Sequence, residues 1–351
     1  MSTYGPRVER FRYDLLDLEN QKVDELRVST ATAGSLDLST QATPQGSGSA
    51  TITPVSTVDW LKQRVRVWYL TDDGTEQPLI TAIPKVPGDT WTATSHTQAV
   101  QLFDCTEAVN TDRYGYSYSL SAGTNIIAAA AAVVASTGEA GAVFEPSAQV
   151  LASAMVWDTS ATKLQIVNDL LAAANYFALY ADPLGRLRGV PYTAPASRPT
   201  RWAFSGGADN LYTPDWSTEA DEYSVPNRFV CVSQALDDGT VWAATATDSD
   251  PASRFSFVNR RRWITPAPAT EVAADSQDTL AAIAQRKLTE AQQVAATYTV
   301  RHPWLPFGLR DVVQAYFPRT GETVRGSVQR QTISLTAGGL VRSTFQAVKP
   351  L

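Results

Sequence analysis

Apolar residues in this chain follow two rhythms: short alternating runs over most of its length, and helical spacing in three places. Leu36 and Leu38 alternate with Ser35, Asp37 and Ser39, the two-residue period of a half-buried strand. Pro44 to Gly48 reads as a loop, and an alternating piece follows around Ile52. From Trp60 to Leu70, Leu61, Val65, Val67 and Tyr69 share one face while Arg64, Arg66 and Trp68 share the other. Asp72-Asp73-Gly74 then predicts a hairpin turn, because Asp-Gly tolerates the positive backbone angles such turns require. The chain returns from Pro78 to Ile83, is punctuated by Pro84 and Pro87-Gly88, and continues from Trp91 to Phe103 as one or two further strands. Together these pieces predict a small antiparallel barrel or sandwich.

The rhythm changes after Cys105. Tyr114, Tyr116 and Tyr118 recur at period two, and Asn125 to Ala135 reads as a helix. A second helix starts near Thr162, whose hydroxyl can cap it while Gln165 reaches back. Leu164, Val167, Leu170, Leu171 and Ala174 give that helix one apolar stripe, expected to pack on a strand from Tyr176 to Ala181. Asn175 suits a left-handed stop, and Asp182-Pro183-Leu184-Gly185 has the residue order of a type I turn.

Prolines 191, 195 and 199 mark a linker, after which Arg201 to Ile264 is again strand-like. Asn227 to Val232 forms a strand there, and Asp237-Asp238-Gly239 is a second hairpin turn. A helix over 276–295, capped by Asp275 or Ser276, carries the stripe Leu280, Ile283, Leu288, Ala291 and Val294. Hairpins finish the chain: Val312 to Phe317, a turn at Pro318 to Gly321, Val324 to Leu335, Gly338-Gly339, and Leu340 to Val348. Apolar parity slips between Val328 and Ile333, which predicts a bulge or bend.

With 351 residues, 44% of them hydrophobic, the chain can bury a substantial core and hold two or three domains. Its net charge of −6 argues against wrapping nucleic acid, which needs clustered cations; Arg260-Arg261-Arg262 is the sole basic triplet and reads as a solvated strand end or subunit contact. Arg outnumbers Lys 23 to 6, a bias favoured by GC-rich coding. Charged residues among the first fourteen break any secretory leader, and the apolar run Ile126 to Ala135 is far short of the ~20 residues that span a bilayer. Cys105 and Cys231 are too few for a disulfide framework, and whether they pair is left open.

Chemistry is sparse. His96 and His302 are isolated and read as structural side chains, so the pattern names no catalytic, metal-binding or cofactor-binding residues. Gly46-Ser47-Gly48-Ser49 has the composition of a flexible loop and lacks the lysine of a phosphate loop. Asp248 and Asp250 suit an Asx turn better than a calcium site, and the nine tryptophans suit cores and interfaces better than a sugar platform.

The order of these pieces resembles the minor tail proteins of siphophages that infect GC-rich Gram-positive hosts, relatives of the baseplate-hub and late-control D family. The likeness rests on Leu36-Asp37-Leu38, on Asp59-Trp60-Leu61 with Arg64-Val65-Arg66, and on the Trp157 to Gly185 unit. Val225-Pro226-Asn227-Arg228, Gly308 to Val313, and Gly326 to Leu335 carry it further. The resemblance implies an α+β, mostly β fold: a β-barrel over 1–104, an inserted α/β domain over 105–195, and a second β-barrel region over 196–351. It implies a non-enzymatic protein of the virion tail tip, without cofactor or membrane segment, made in the host cytoplasm. The expected assembly is a homotrimeric ring closing the tail tube, with 1–104 and 196–351 on its inner wall and 105–195 outside. Its expected neighbours are a distal tail protein ring, other tail-tip proteins or the tape measure protein. DNA meets it only in transit, past a neutral or acidic wall. Because the chain stops at Leu351, receptor binding and wall cleavage are expected of other chains. A carbohydrate- or cell-wall-degrading hydrolase on a β-rich scaffold, and a receptor-binding module, are the alternative readings.

Overall fold

The computed structural model describes residues 8–28, 34–53, 58–139, 141–151, 153–205, 211–219, 222–233, 241–272, 277–292 and 295–348. The chain is mostly β and divides into two compact units, residues 1–215 with 300–344, and residues 216–299 with 345–351.

Seven strands open the first unit: β1 (Glu9–Leu16), β2 (Lys22–Val28), β3 (Ser35–Ser39), β4 (Gly46–Thr53), β5 (Arg64–Thr71), β6 (Glu76–Trp91) and β7 (His96–Asp104). Six of them close a barrel in which every pairing is antiparallel. β1 pairs β2, β2 pairs β4, β4 pairs β7, β7 pairs β6, β6 pairs β5, and β5 returns to β1. Alternation builds its inside: Tyr13 and Leu15 on β1 face Val67 and Val65 on β5, which face Ile80 and Ala82 on β6. All six are buried in one cluster, so side chains fill the interior.

Several local expectations fail here for physical reasons. Gly46-Ser47-Gly48-Ser49 is not a loop but the start of β4, paired on one edge to β3 and on the other to β7. Small residues are needed there, since a Cβ at Gly48 would lie 2.6 Å from both the Ser35 carbonyl and the Leu36 side chain. Leu61 is 92% exposed rather than on the buried face, because Asp59 accepts the Leu61 amide and begins a turn before the strand. β6 runs through Pro84 and Pro87 to Trp91; a register shift between Lys85 and Gly88 absorbs the interruption.

The α/β unit follows as α1 (Thr106–Thr111), β8 (Tyr118–Leu120), α2 (Ile126–Ala135), β9 (Val143–Phe144), β10 (Met155–Trp157), α3 (Lys163–Ala173), β11 (Tyr180–Ala181) and β12 (Leu187–Gly189). Thr162 caps α3 by accepting the Gln165 amide at 3.1 Å, and Asn175 adopts φ +57 at its end. Leu164, Val167, Leu170, Leu171 and Ala174 are all buried, as their spacing predicts. Their neighbours are α1 and α2 as well as Tyr176 and Leu179, and of the expected strand only Tyr180–Ala181 forms a strand, Tyr176 making a single bridge to Pro191. Lys163, itself buried, joins the three helices. Its ammonium pairs with Asp112 at 2.6 Å after α1 and donates to the Ser136 carbonyl at 3.2 Å after α2.

The rest comprises β13 (Thr200–Phe204), β14 (Trp216–Glu219), β15 (Arg228–Ser233), β16 (Ala243–Thr247), α4 (Phe257–Arg260), β17 (Thr270–Val272), α5 (Gln277–Ala291), β18 (Ala295–His302), β19 (Val312–Phe317), β20 (Glu322–Ser334) and β21 (Val341–Val348). In the second unit, α5 lays Leu280, Ala284 and Leu288 over β15 and β16. The predicted turn at Asp237 to Gly239, the caps Asp275 and Ser276, and Val294 lie outside the described residues. In the first unit, β20 changes partner along one edge: residues 322–327 pair β19 and residues 330–334 pair β3. The slip in apolar parity before Ile333 coincides with that change.

Leu170→Ala removes a fully buried side chain from the centre of this helical core and should lower unfolding free energy by about 2–5 kcal/mol. Urea denaturation of the whole chain followed by circular dichroism measures it; an unchanged midpoint would show that α3 is not packed as described.

Candidate functional site

The outer face of β5 and β6 does not meet water where the α/β unit covers it. Arg64 reaches from β5 to Glu139 at 2.6 Å, with both side chains buried, and its other nitrogen donates to the Cys105 sulfur at 3.7 Å. The Cys105 thiol donates to the Thr81 carbonyl, and burial pushes its pKa up to about 12, so it stays protonated and inert. Arg66 donates to the Thr81 hydroxyl at 2.8 Å and to the Leu184 carbonyl at 3.1 Å; that hydroxyl donates in turn to the Pro183 carbonyl at 2.9 Å. The Asp182 to Gly185 turn is thereby held against the barrel. Gly185 suits this place, since its φ of +84 disfavours a side chain and a Cβ would crowd Thr81 at 3.0 Å and the Cys105 sulfur at 3.2 Å.

Beside this junction lies a cavity of about 670 Å³. Its walls come from Leu79 and Ile80 of β6, Tyr180 to Pro183, the 304–311 segment, and Gln331 and Ile333 of β20. Trp304 stacks on the barrel residue Tyr69 at 4.4 Å. Arg310 is the unusual side chain here. Its backbone is left-handed at φ +69, pinned by its amide on the Val328 carbonyl at 2.8 Å and by Arg198 donating to its own carbonyl. Its guanidinium lies 4.1 Å from the Tyr180 ring and 5.7 Å from Phe177, and donates to Gln45 Oε1. Burial lowers its pKa to about 10. Nearby, burial pushes the Asp104 carboxyl up, while its oxygens accept from Gly46 and Thr106. A charge, two aromatic faces and apolar walls are ingredients of recognition rather than of bond making.

The residues singled out by sequence are scattered. His302 is 0% exposed; its Nδ1 must donate to the Pro303 carbonyl at 2.6 Å, so its Nε2 accepts from the Ser343 hydroxyl at 2.8 Å. Gln331 donates to that same hydroxyl, and Ser343 is 1% exposed, so this serine and histidine meet no substrate. His96 pairs with Asp89 at 2.6 Å and stacks on Trp91, which is 72% exposed near a hairpin tip. Asp248 accepts the Asp250 amide, as an Asx turn does, and its other oxygen is taken by Ser253 and Gln292. Among the described residues no group of three or more His, Cys, Asp or Glu side chains could hold a metal ion. Arg260 donates to the carbonyls of Glu222 and Val225, an internal role for part of the basic triplet. Both cysteines are buried and free, so the disulfide left open is not formed. No helix among the described residues is long and apolar enough to cross a membrane. Sequence reasoning missed Arg310 and Asp104 altogether. It placed Arg64 on an outer face, which is right for the barrel but blind to the unit that covers it.

Glu139→Gln strands the Arg64 charge and should cost about 3–5 kcal/mol, whereas pairing Arg64→Met with Glu139→Leu should recover most of that loss; equilibrium denaturation distinguishes the two. His302 gives a pH signature. Burial holds its folded pKa at about 4, against 6.5 for the free side chain. Its contribution is therefore whole above pH 6.5 and is lost as pH falls toward 4, by about 3 kcal/mol in all. The stability advantage of wild type over His302→Gln should narrow across that window, and a constant difference from pH 7.5 to 4 would contradict a buried neutral imidazole.

No family model and no curated protein sequence matches the chain. Solved structures match it from end to end. A tail protein from Neisseria meningitidis MC58 superposes with a TM-score of 0.67 at 13% identity, covering 96% of each chain. The 43 kDa tail protein of prophage MuSo2 from Shewanella oneidensis superposes at 0.62 with 14% identity, over 97% of this chain and 98% of that one. Prophage tail protein gp18 from Listeria monocytogenes EGD-e superposes at 0.55 with 12% identity, over 95% and 94%. At such identities the likeness is one of fold, and the mostly β architecture with its closed barrel is the fold these tail proteins share.

Proposed function

We propose that this chain is a structural, non-enzymatic protein of a bacteriophage tail. The observation that carries the reading is the end-to-end likeness of fold to three tail proteins, covering at least 94% of each of those chains. The buried polar junction agrees with it: side chains that could do chemistry are spent on holding the α/β unit to the barrel.

The finer reading is a tail-tip hub of a siphophage with a GC-rich Gram-positive host. In it, residues 1–104 and 196–351 are tube-facing domains and 105–195 is inserted between them on the outside. The ring abuts a distal tail protein above and tip or tape measure proteins at its other contacts. Packing inside the barrel supports the need for several copies, since Val65, Val67 and Tyr69 fill its interior and leave no passage through it. A path for DNA must then form between copies, and cyclic closure is the common way for identical chains to make one. The acidic balance of the chain suits a wall along which phosphates slide instead of binding.

Cryo-electron microscopy of virions tests this. Three copies in a ring at the tail tip around a neutral or acidic channel are expected. Six copies in a plain hexamer, one copy on the axis, or a wall lined mainly by arginine would sink the hub reading.

A further inference from the structure

Arg310, half-buried at the cavity, lacks the carboxylate partner that guanidinium groups drawn out of water ordinarily have. Among the described residues no carboxylate lies within 4.0 Å of it, and its one side-chain acceptor is the neutral Gln45. The three carboxylates around the cavity are otherwise engaged. Asp104 accepts from Gly46 and Thr106, Asp182 is bonded to Arg186 at 2.8 Å, and Asp311 accepts the Gly308 amide at 2.8 Å. The cation is nonetheless held in place with care. Rings of Tyr180 and Phe177 flank it, and its backbone is kept left-handed, a conformation costing a residue with a Cβ on the order of 1 kcal/mol or more. Strain kept at a half-buried charge beside an open cavity is a mark of a binding site more than of a packing accident. The cavity volume falls within the range that accommodates small organic ligands, and Leu38, Leu79, Ile80, Trp304, Phe307 and Ile333 give its mixed walls an apolar part.

From this geometry we infer that the cavity binds a carboxylate carried on an apolar body. The carboxylate pairs with the free donors of the Arg310 guanidinium, whose five N–H groups form a planar fork matched to two oxygens. The aliphatic or aromatic remainder lies against Trp304, Phe307 and Ile80. Such an anion offsets the partial desolvation of the Arg310 guanidinium. Two sources share this chemistry, a free small acid and the C-terminal residue of another polypeptide ending in an apolar side chain.

Isothermal titration on the full-length protein decides it, with sodium hexanoate, hexanamide, and an acetylated tripeptide ending in leucine as free acid or amide. Saturable binding of the acids and not of the amides is expected, and Arg310→Gln should weaken it on the order of tenfold or more, the worth of a charge-assisted hydrogen bond. Acid and amide binding alike, undiminished binding by a folded Arg310→Gln variant, or no heat from any acid at millimolar concentration would each overturn the proposal. If Arg310→Gln does not fold, the comparison of acid with amide on the unaltered protein decides alone. Tighter binding of the free-acid tripeptide than of hexanoate makes the occupant a chain terminus, and the reverse order makes it a small acid; both outcomes uphold the site.

Discussion

The ion pair between Arg64 and Glu139 sets the relation on which the first unit depends, because it forces two independently patterned pieces of chain to bury charge against each other. Removing two ions from water costs several kcal/mol apiece, and their attraction repays this only with good geometry and further hydrogen bonds. Here the geometry is supplied by a barrel strand on one side, the turn that follows α2 on the other, and the Cys105 sulfur accepting from a second terminal nitrogen of the guanidinium, while Arg64 Nε and Glu139 Oε2 are left without partners. The gain is orientation. An apolar contact of the same size would let the α/β unit slide over the barrel, whereas a paired charge with directional bonds from Arg66 and Thr81 fixes one seating.

That fixed seating also explains the neighbouring cavity. Tyr180 and the Asp182 to Gly185 turn come from the α/β unit, while Gln45, Asp104 and Ile80 come from the barrel, so the walls exist only when the two are locked. Arg310 arrives from a third place, the segment before β19, and is anchored by Val328 on β20. Three stretches far apart in sequence thus meet around one guanidinium.

Local order was legible in the sequence, and long-range order was not. Thr162, Asn175 and the leucine stripe between them specify α3, because capping and helical periodicity act within a few residues. Alternation at Val65, Val67 and Tyr69 specifies which face of β5 turns inward. Nothing local says that the opposite face is covered too, so Arg64 reads as exposed until the α/β unit is seen on it. Gly46 to Ser49 reads as a loop because its composition is that of a loop; its extended form is imposed by β3 and β7 on either edge. Pro84 and Pro87 read as breaks because the bulge that tolerates them depends on β7. Arg310 carries no signal at all in one sequence, since its surroundings and its backbone angle follow from partners outside its own segment, Val328, Arg198 and Gln45.

One such partnership has a bearing on how the chain is made. Asp37 on β3 accepts from the Thr332 hydroxyl on β20 across 295 positions, and β3 otherwise has only β4 beside it. During synthesis β3 therefore emerges with one edge unpaired and keeps it so until almost the whole chain has left the ribosome. An open edge of alternating apolar and polar residues is a template for wrong pairing. Contacts this distant are also slow to form, since loop closure precedes any reward from pairing. The nascent protein thus spends most of its translation time with this edge of β3 unpaired, and a truncated product would carry that exposed edge permanently.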